Sequence, residues 1–214
     1  MSEMKPYIVR QGEYLAKIAF ACGFDADDVW NHEKNDELSM VRPDAQVLAP
    51  GDLLRVSARH ASALGVVCSA SNSFVGKVPQ VEVPIELRVD GKPLSNEACV
   101  VEGFGQVREM RTDGSGLLVV SSPVTVPEFI VRVPRTGANF RILIGFLDPV
   151  DSATGRAARL SNLGYLPEID GTQERLPEAE VNLALRHFIA SLAPDCDADA
   201  PDAVSRALLD AAGV

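Results

Sequence analysis

The stretch from Tyr7 to Val56 constrains this chain more than any other part of it. Tyr7 and Val9 alternate as residues of an edge strand do. Gly12 then permits a backbone reversal that a β-carbon would resist. Leu15, Ile18, Ala19 and Cys22 recur on one helical stripe, and Gly23 suits the position that ends such a helix. A long polar stretch follows, from Asn31, His32, Glu33, Lys34 and Asn35 through Arg42, Pro43 and Asp44. Pro50 and Gly51 then set a tight turn before a closing strand that includes Leu53 and Val56. Strand, turn, helices and strand make a small unit suited to binding, which directs attention away from an active site.

The positions Tyr7, Val9, Gly12, Leu15, Ile18, Ala19, Gly23, Leu48, Pro50, Gly51, Leu53 and Val56 resemble a LysM module. That family is a βααβ unit that binds N-acetylglucosamine polymers such as peptidoglycan and chitin. The resemblance implies a sugar-holding surface on the loops at the two ends of the unit, here Gly12, Glu13, Tyr14, Leu48, Ala49, Pro50 and Gly51. Where the family has Asp-Thr after the turn glycine, this chain has Glu13-Tyr14, a poorer start for a helix.

Length and charge set outer limits. A chain of 214 residues holds one to two ordinary domains or three small ones, and a hydrophobic fraction of 46% is enough for packed cores. The formal charge of −10 argues against nucleic acid or an anionic membrane as main partner. No run approaches the roughly 18 apolar residues of a membrane span, so no membrane insertion is expected. Met1 to Pro6 lead straight into the first strand without an apolar signal core, so synthesis in the cytoplasm is expected. A wall binder made there reaches its ligand by lysis, by a non-classical route, or by a contractile injection apparatus. Cys22, Cys68, Cys99 and Cys196 form no metal or redox spacing and read as buried small residues or free thiols.

Residues 1–57 are therefore expected to form the LysM-like domain, and residues 58–80, rich in Ala, Ser, Gly and Val, a connector, in which Leu64 to Cys68 reads as a strand or a packed linker. From Val81 the pattern alternates. Ile85, Leu87 and Val89 fall on one face, and further strands are expected at 98–101, 106–111, 116–120, 128–133 and 140–146. Asp90-Gly91 and Asp113-Gly114 suit tight reversals, and Gly103-Phe104-Gly105 a turn or bulge. Residues 81–147 are expected to fold as a small antiparallel β-sandwich of about six or seven strands. Residues 148–214 read as three helices, at 156–163, 178–192 and 201–212. The second carries Val181, Ala184, Leu185, Phe188 and Leu192 on one face, and Pro201 opens the third. The fold class is thus α+β multi-domain, ending in a three-helix bundle.

Leu160 to Leu166, Ile169-Asp170-Gly171 and Ala184-Leu185-Arg186-His187-Phe188 resemble the three-helix peptidoglycan-binding domain. Ile189 replaces that family's glutamine, Thr172 to Pro177 replace its glycine-rich turn, and Asp195 to Asp199 stand where a second Asp-Gly turn is usual. Together with the segments from Leu87 to Leu94, Thr112 to Gly114 and Leu147 to Asp151, the whole chain is similar to LysM/peptidoglycan-binding proteins of type VI secretion and related contractile injection systems. What this implies is an accessory or cargo-associated role, with peptidoglycan or an apparatus or cargo protein as partner.

The residues that carry chemistry point the same way. His32, His60 and His187 lie in separate segments, without a zinc-like cluster. Asp195, Asp197 and Asp199 begin a calcium-loop frame, but Ala200 and Arg206 stand where glycine and glutamate are required, so a solvated acidic loop is favoured. Ser69, Ser71 and Ser73 have no nucleophile elbow, and Glu13, Glu102 and Glu128 offer no spaced acid pair. No cofactor, metal or catalytic residue is expected. Trp30, the one tryptophan, reads first as core packing and second as a partner contact beside His32. Beyond Leu147, twelve Asp or Glu face five Arg. Peptidoglycan is itself rich in carboxylates, so this acidity favours a basic protein partner for that region. Two readings stand: a non-catalytic peptidoglycan-binding accessory, and an adaptor that docks on an injection apparatus or its cargo without binding sugar.

Overall fold

The structure is a computed structural model that describes residues 4–57, 65–74, 76–89, 91–167, 176–197 and 200–212. His60, Leu64, Asp90, the stretch 168–175, Asp199 and Gly213 lie outside these residues. The described residues hold six α-helices and ten short strands, an α+β fold. The chain divides into two compact units, one of Met1–Val81 with Ser121–Thr125 and one of Glu82–Val120 with Val126–Val214.

In the first unit β1 (Lys5–Ile8) pairs antiparallel with β2 (Leu53–Val56), placing Tyr7 opposite Leu54 and Ile8 opposite Leu53. Between them run α1 (Leu15–Cys22), α2 (Ala26–Trp30), a 3-10 turn (Glu33–Asn35) and α3 (Asp36–Val41). Leu15, Ile18 and Ala19 bury the expected stripe of α1. Gly23 closes that helix in the left-handed region, its N–H donating to the Ala19 carbonyl. Tyr14 stands at the start of α1 without a side-chain cap, whereas the Asp25 carboxylate accepts from the N–H groups of Asp27 and Asp28 and caps α2. These elements share a core of Val9, Leu15, Ile18, Val29, Leu48 and Leu54. Full burial of each such side chain contributes roughly 1.5–3 kcal/mol.

The 3-10 turn and α3 occupy what the sequence presents as a long polar stretch. Tertiary hydrogen bonds hold them. Asn35 is 1% exposed, and its amide donates to the carbonyls of Val29 (2.7 Å) and Arg55 (2.8 Å) while accepting the Arg55 N–H (2.7 Å).

Among the described residues from Gln80 to Leu143 there are eight strands, rather than six or seven. The run Ile85 to Val89 breaks at Leu87 into β3 (Gln80–Glu86) and β4 (Arg88–Val89). Leu87 is buried and bonds sideways, donating to Gly116 (2.9 Å) and accepting from Leu94 (2.8 Å). β4 pairs with β5 (Lys92–Pro93), and β3 with β8 (Leu117–Pro123). A four-stranded sheet runs in the order β10 (Ala138–Leu143), β9 (Glu128–Val133), β6 (Ala98–Glu102), β7 (Arg108–Arg111). Cys99, Val101, Phe129, Val131 and Val133 are buried, while Glu102, Arg132 and Arg141 face outward and pair in part as Arg132–Glu102 and Arg141–Glu128. One covered and one charged face is the usual state of such a sheet. Gly103 turns β6 toward β7 at φ +133, where a β-carbon would come within 2.9 Å of the Phe129 Cβ.

The remaining helices are α4 (Ala153–Asn162), α5 (Glu178–Leu192) and α6 (Pro201–Ala212). Leu160, Ala184, Phe188, Ile189, Val204 and Leu208 form their common core. The start of α4 lies hard against the preceding segment: a β-carbon on Gly155 would sit 2.0 Å from the Pro149 carbonyl oxygen. Arg159, one turn later, is 4% exposed and donates to the carbonyls of Asp148 (2.8 Å) and Gly155 (3.1 Å). Its burial pulls the guanidinium pKa down, opposed by Asp148 and Asp151.

Candidate functional site

The loops singled out in the sequence are those after β1 and before β2. The first closes on itself. The Glu13 N–H donates to the Arg10 carbonyl (3.1 Å), and the Glu13 carboxylate accepts from the Arg10 N–H (2.9 Å) and the Tyr7 hydroxyl (2.8 Å). Gly12 is left-handed, with φ +77, and its carbonyl accepts the Lys17 ammonium (2.7 Å). The second loop is organised by Asp52. Its carboxylate accepts the Ala49 N–H (2.8 Å) and pairs with the Arg42 guanidinium (3.0 Å), while its own N–H donates to the Ala49 carbonyl (3.0 Å). Gly51, at φ +97, makes the turn.

Val9 joins the two loops. Its N–H donates to the Asp52 carbonyl (2.9 Å) and its carbonyl accepts the Gly51 N–H (2.8 Å). The Leu15 N–H adds a bond to the Ala45 carbonyl (3.2 Å). The two loops are therefore tied together at both ends of the first turn, by Val9 and by Leu15; Pro50 and Gly51 are exposed, Glu13 and Ala49 half-buried and Gly12 buried.

Three of the seven residues expected to hold sugar, Gly12, Tyr14 and Leu48, are buried. Leu48 is part of the core. Tyr14 is 3% exposed, its hydroxyl directed at the Val124 carbonyl (3.4 Å) within the same unit, so it offers no ring face to a ligand. Burial also raises its pKa. Nothing local in the sequence marks that inward turn, since Val124 lies 110 residues away. Trp30 is half-buried against the first unit's core, and the His32 Nδ1 accepts the Lys34 N–H (3.2 Å) to start the 3-10 turn. Both partner candidates thus have structural work.

The site is one of hydrogen bonds and charge. Burial and the bond to Glu13 push the Tyr7 hydroxyl up to about 12, keeping it a neutral donor. Burial, with Glu13 adding to it, raises the Cys22 thiol too, which lowers its reactivity. Among the described residues no three His, Cys, Asp or Glu gather as a metal ion requires. No helix among them is long and apolar enough to cross a membrane.

A feature the sequence reading passed over is the outward face of the β1–β2 pair. Ile8 is 66% exposed and lies directly opposite exposed Leu53. Met40 and Val41, at the end of α3, are also exposed. The alternation that sends Tyr7 inward could have shown this, since it turns its neighbour Ile8 the other way. Neither a protein-family model, nor a curated protein, nor a solved structure matches this chain.

Proposed function

We propose that the chain is a non-catalytic modular binding protein, a peptidoglycan-binding accessory of a type VI secretion or related contractile injection system. Its parts in this reading are a LysM-like unit at 1–57, a connector at 58–80, a small β-sandwich at 81–147 and a degenerate peptidoglycan-binding-like helical bundle at 148–214. The observation that carries it is the pair of hydrogen bonds at Val9, which sets the Glu13 turn beside the Pro50-Gly51 turn. The exposed Pro50-Gly51 turn, a held carboxylate at half-buried Glu13 and the Lys17 ammonium suit the amide and hydroxyl groups of an N-acetylglucosamine chain. Aromatic stacking by Tyr14 has no part in this reading. Retention on purified sacculi tests it, with Gly51→Val as the variant that distorts the exposed turn. Wild-type protein that elutes at background level removes the sugar ligand.

The second reading, an adaptor docking on the apparatus or its cargo, is favoured by Ile8 and Leu53, an apolar cross-strand pair left in solvent. Co-purification from the native cell tests it, and a lone monomer under gentle conditions counts against it.

A further inference from the structure

Helix α3 buries none of its residues, and of its side chains only half-buried Leu38 packs against the first unit's core. Met40 and Val41 stand exposed. A helix of six residues is marginal without tertiary support, and apolar burial supplies little of it here. The support at its C-terminal end is charged. Arg42 closes the helix, its N–H donating to the Leu38 carbonyl (2.8 Å). The Arg42 guanidinium reaches the Asp52 carboxylate through Nε (3.0 Å) and Nη2 (3.5 Å), and each side chain is 14% exposed. A pair so shielded is screened by salt far less than one on the surface. The planar fork of an arginine also fixes the direction of a carboxylate, as a lysine does not.

That direction matters because the turn before β2 stands out in solvent. Pro50 and Gly51 are exposed. Among the described residues, no atom beyond its chain neighbours lies within 4 Å of the place a β-carbon on Gly51 would take. The turn is held from its base, at Asp52. The carboxylate oxygen that meets Arg42 Nε also accepts the Ala49 N–H (2.8 Å). The Asp52 backbone donates to the Ala49 carbonyl (3.0 Å) and accepts the Val9 N–H (2.9 Å). Asp52 thus ties together the end of α3, the start of the turn and Val9. Without a cation beside it, a carboxylate shielded to this degree gains by swinging out to water, and the Ala49 N–H loses its acceptor.

We propose that Arg42 is a positioning residue for the Pro50-Gly51 turn, acting through the Asp52 carboxylate to hold that turn in the conformation that meets a glycan, and that carrying Arg42 there is the role of α3. The inference rests on the wall-binding reading of the turn. Arg42 touches no sugar in it. Its effect is preorganisation: a turn already in its bound shape loses no further freedom when ligand arrives, so affinity rises without an added contact.

The full chain is compared with its Arg42→Met, Arg42→Lys, Asp52→Asn and Leu38→Ala variants. Retention on purified sacculi gives the affinity, amide hydrogen exchange the state of the free turn, and Trp30 emission in urea the fold. Arg42→Met is expected to bind about tenfold more weakly and to exchange the Ala49 amide about tenfold faster. Asp52→Asn keeps an acceptor for Ala49 but loses the charge, and a similar factor is expected. The double variant Arg42→Met/Asp52→Asn should lose no more than either single change. Arg42→Lys keeps the charge with one donor group and should bind within about threefold of wild type. Leu38→Ala removes the packing of α3 and leaves the pair, so it should unfold at lower urea yet bind as wild type while folded. Should Arg42→Met fail to fold, Asp52→Asn makes the same test. Wild type eluting at background removes the glycan reading and this role with it. If wild type is retained, the role of Arg42 alone is overturned by equal retention of folded Arg42→Met or by an unchanged Ala49 amide. It is equally overturned by additive losses in the double variant, by Arg42→Lys binding no better than Arg42→Met, or by folded Leu38→Ala binding as weakly.

Discussion

The Asn35 side chain holds both backbone groups of Arg55, donating to its carbonyl and accepting its N–H at 2.8 and 2.7 Å. Pro6 stands opposite Arg55 in the β1–β2 register and has no N–H to exchange, so these groups point away from β1. One amide side chain replaces a third strand at that point. Asn72 makes the same two-way contact with Val67 (2.9 and 3.0 Å) on an exposed loop.

Asn35→Ala leaves buried donors and acceptors unmatched and is expected to destabilise the first unit by about 3 kcal/mol. Urea unfolding followed through Trp30, the one tryptophan and half-buried in that unit's core, measures it. A loss below about 1 kcal/mol would mean that water replaces the amide without penalty.

Gly155→Ala is expected to cost about 3 kcal/mol or more, since the added carbon meets backbone oxygens of Pro149 and Asp148 at 2.0 and 2.5 Å. Gly137→Ala, with open space around it, pays only for its φ of +72, about 1–2 kcal/mol. Thermal unfolding of the two variants side by side gives the ranking, and equal losses would contradict the close approach.

Tyr7 makes alkaline stability a property of the first unit. Its folded pKa, about 12, lies above its ordinary 10.0, so the folded state favours the protonated hydroxyl. This contribution is complete below pH 10 and is lost as pH rises from there through 12. Ultraviolet titration of the phenolate follows it, and Glu13→Gln is expected to shift the Tyr7 midpoint part of the way back toward 10.0. An unchanged midpoint would remove Glu13 as a cause.

Tyr14→Phe should leave retention on sacculi unaltered, because the ring is buried and its hydroxyl makes a long internal bond. Gly51→Val should lose retention with a stability cost of about 1–2 kcal/mol, reflecting the φ of +97. If Tyr14→Phe loses binding while Trp30 fluorescence stays native, the inward placement is not the one that meets ligand.

Thiol labelling followed by mass spectrometry is expected to reach exposed Cys68 first and Cys99 last. Cys99 is buried, and its thiol pKa is raised by burial and by Glu97. Rapid labelling of Cys99 in native protein would show that the sheet opens there.

Where periodicity was strong, the elements could be read directly. The stripe of Val181, Ala184, Leu185 and Phe188 specifies α5, although Leu192, expected on the same face, is exposed, and Pro201 marks the first turn of α6. Strand β9 likewise follows from alternation, with Phe129, Val131 and Val133 turned inward. The short 3-10 turn and α3 gave no such pattern, since α3 buries none of its residues and depends on Asn35 beside it. In the candidate site, glycine and proline located both turns. The inward turn of Tyr14 could not be foreseen, because its partner, Val124, is far along the chain. Arg159 was hidden for the same reason: an arginine in a polar helix looks solvated until the Asp148 carbonyl lies over it.

The missing side chain at Gly155 has a consequence for anyone who would move the helical region elsewhere. Because Pro149 and Asp148 fill the space a methyl group needs, and Arg159 reaches back to the same carbonyl strand, residues 148–159 form a fitted joint rather than a tether. A graft cut between them would deliver helices without their footing, whereas one that begins upstream of Asp148 carries its own foundation.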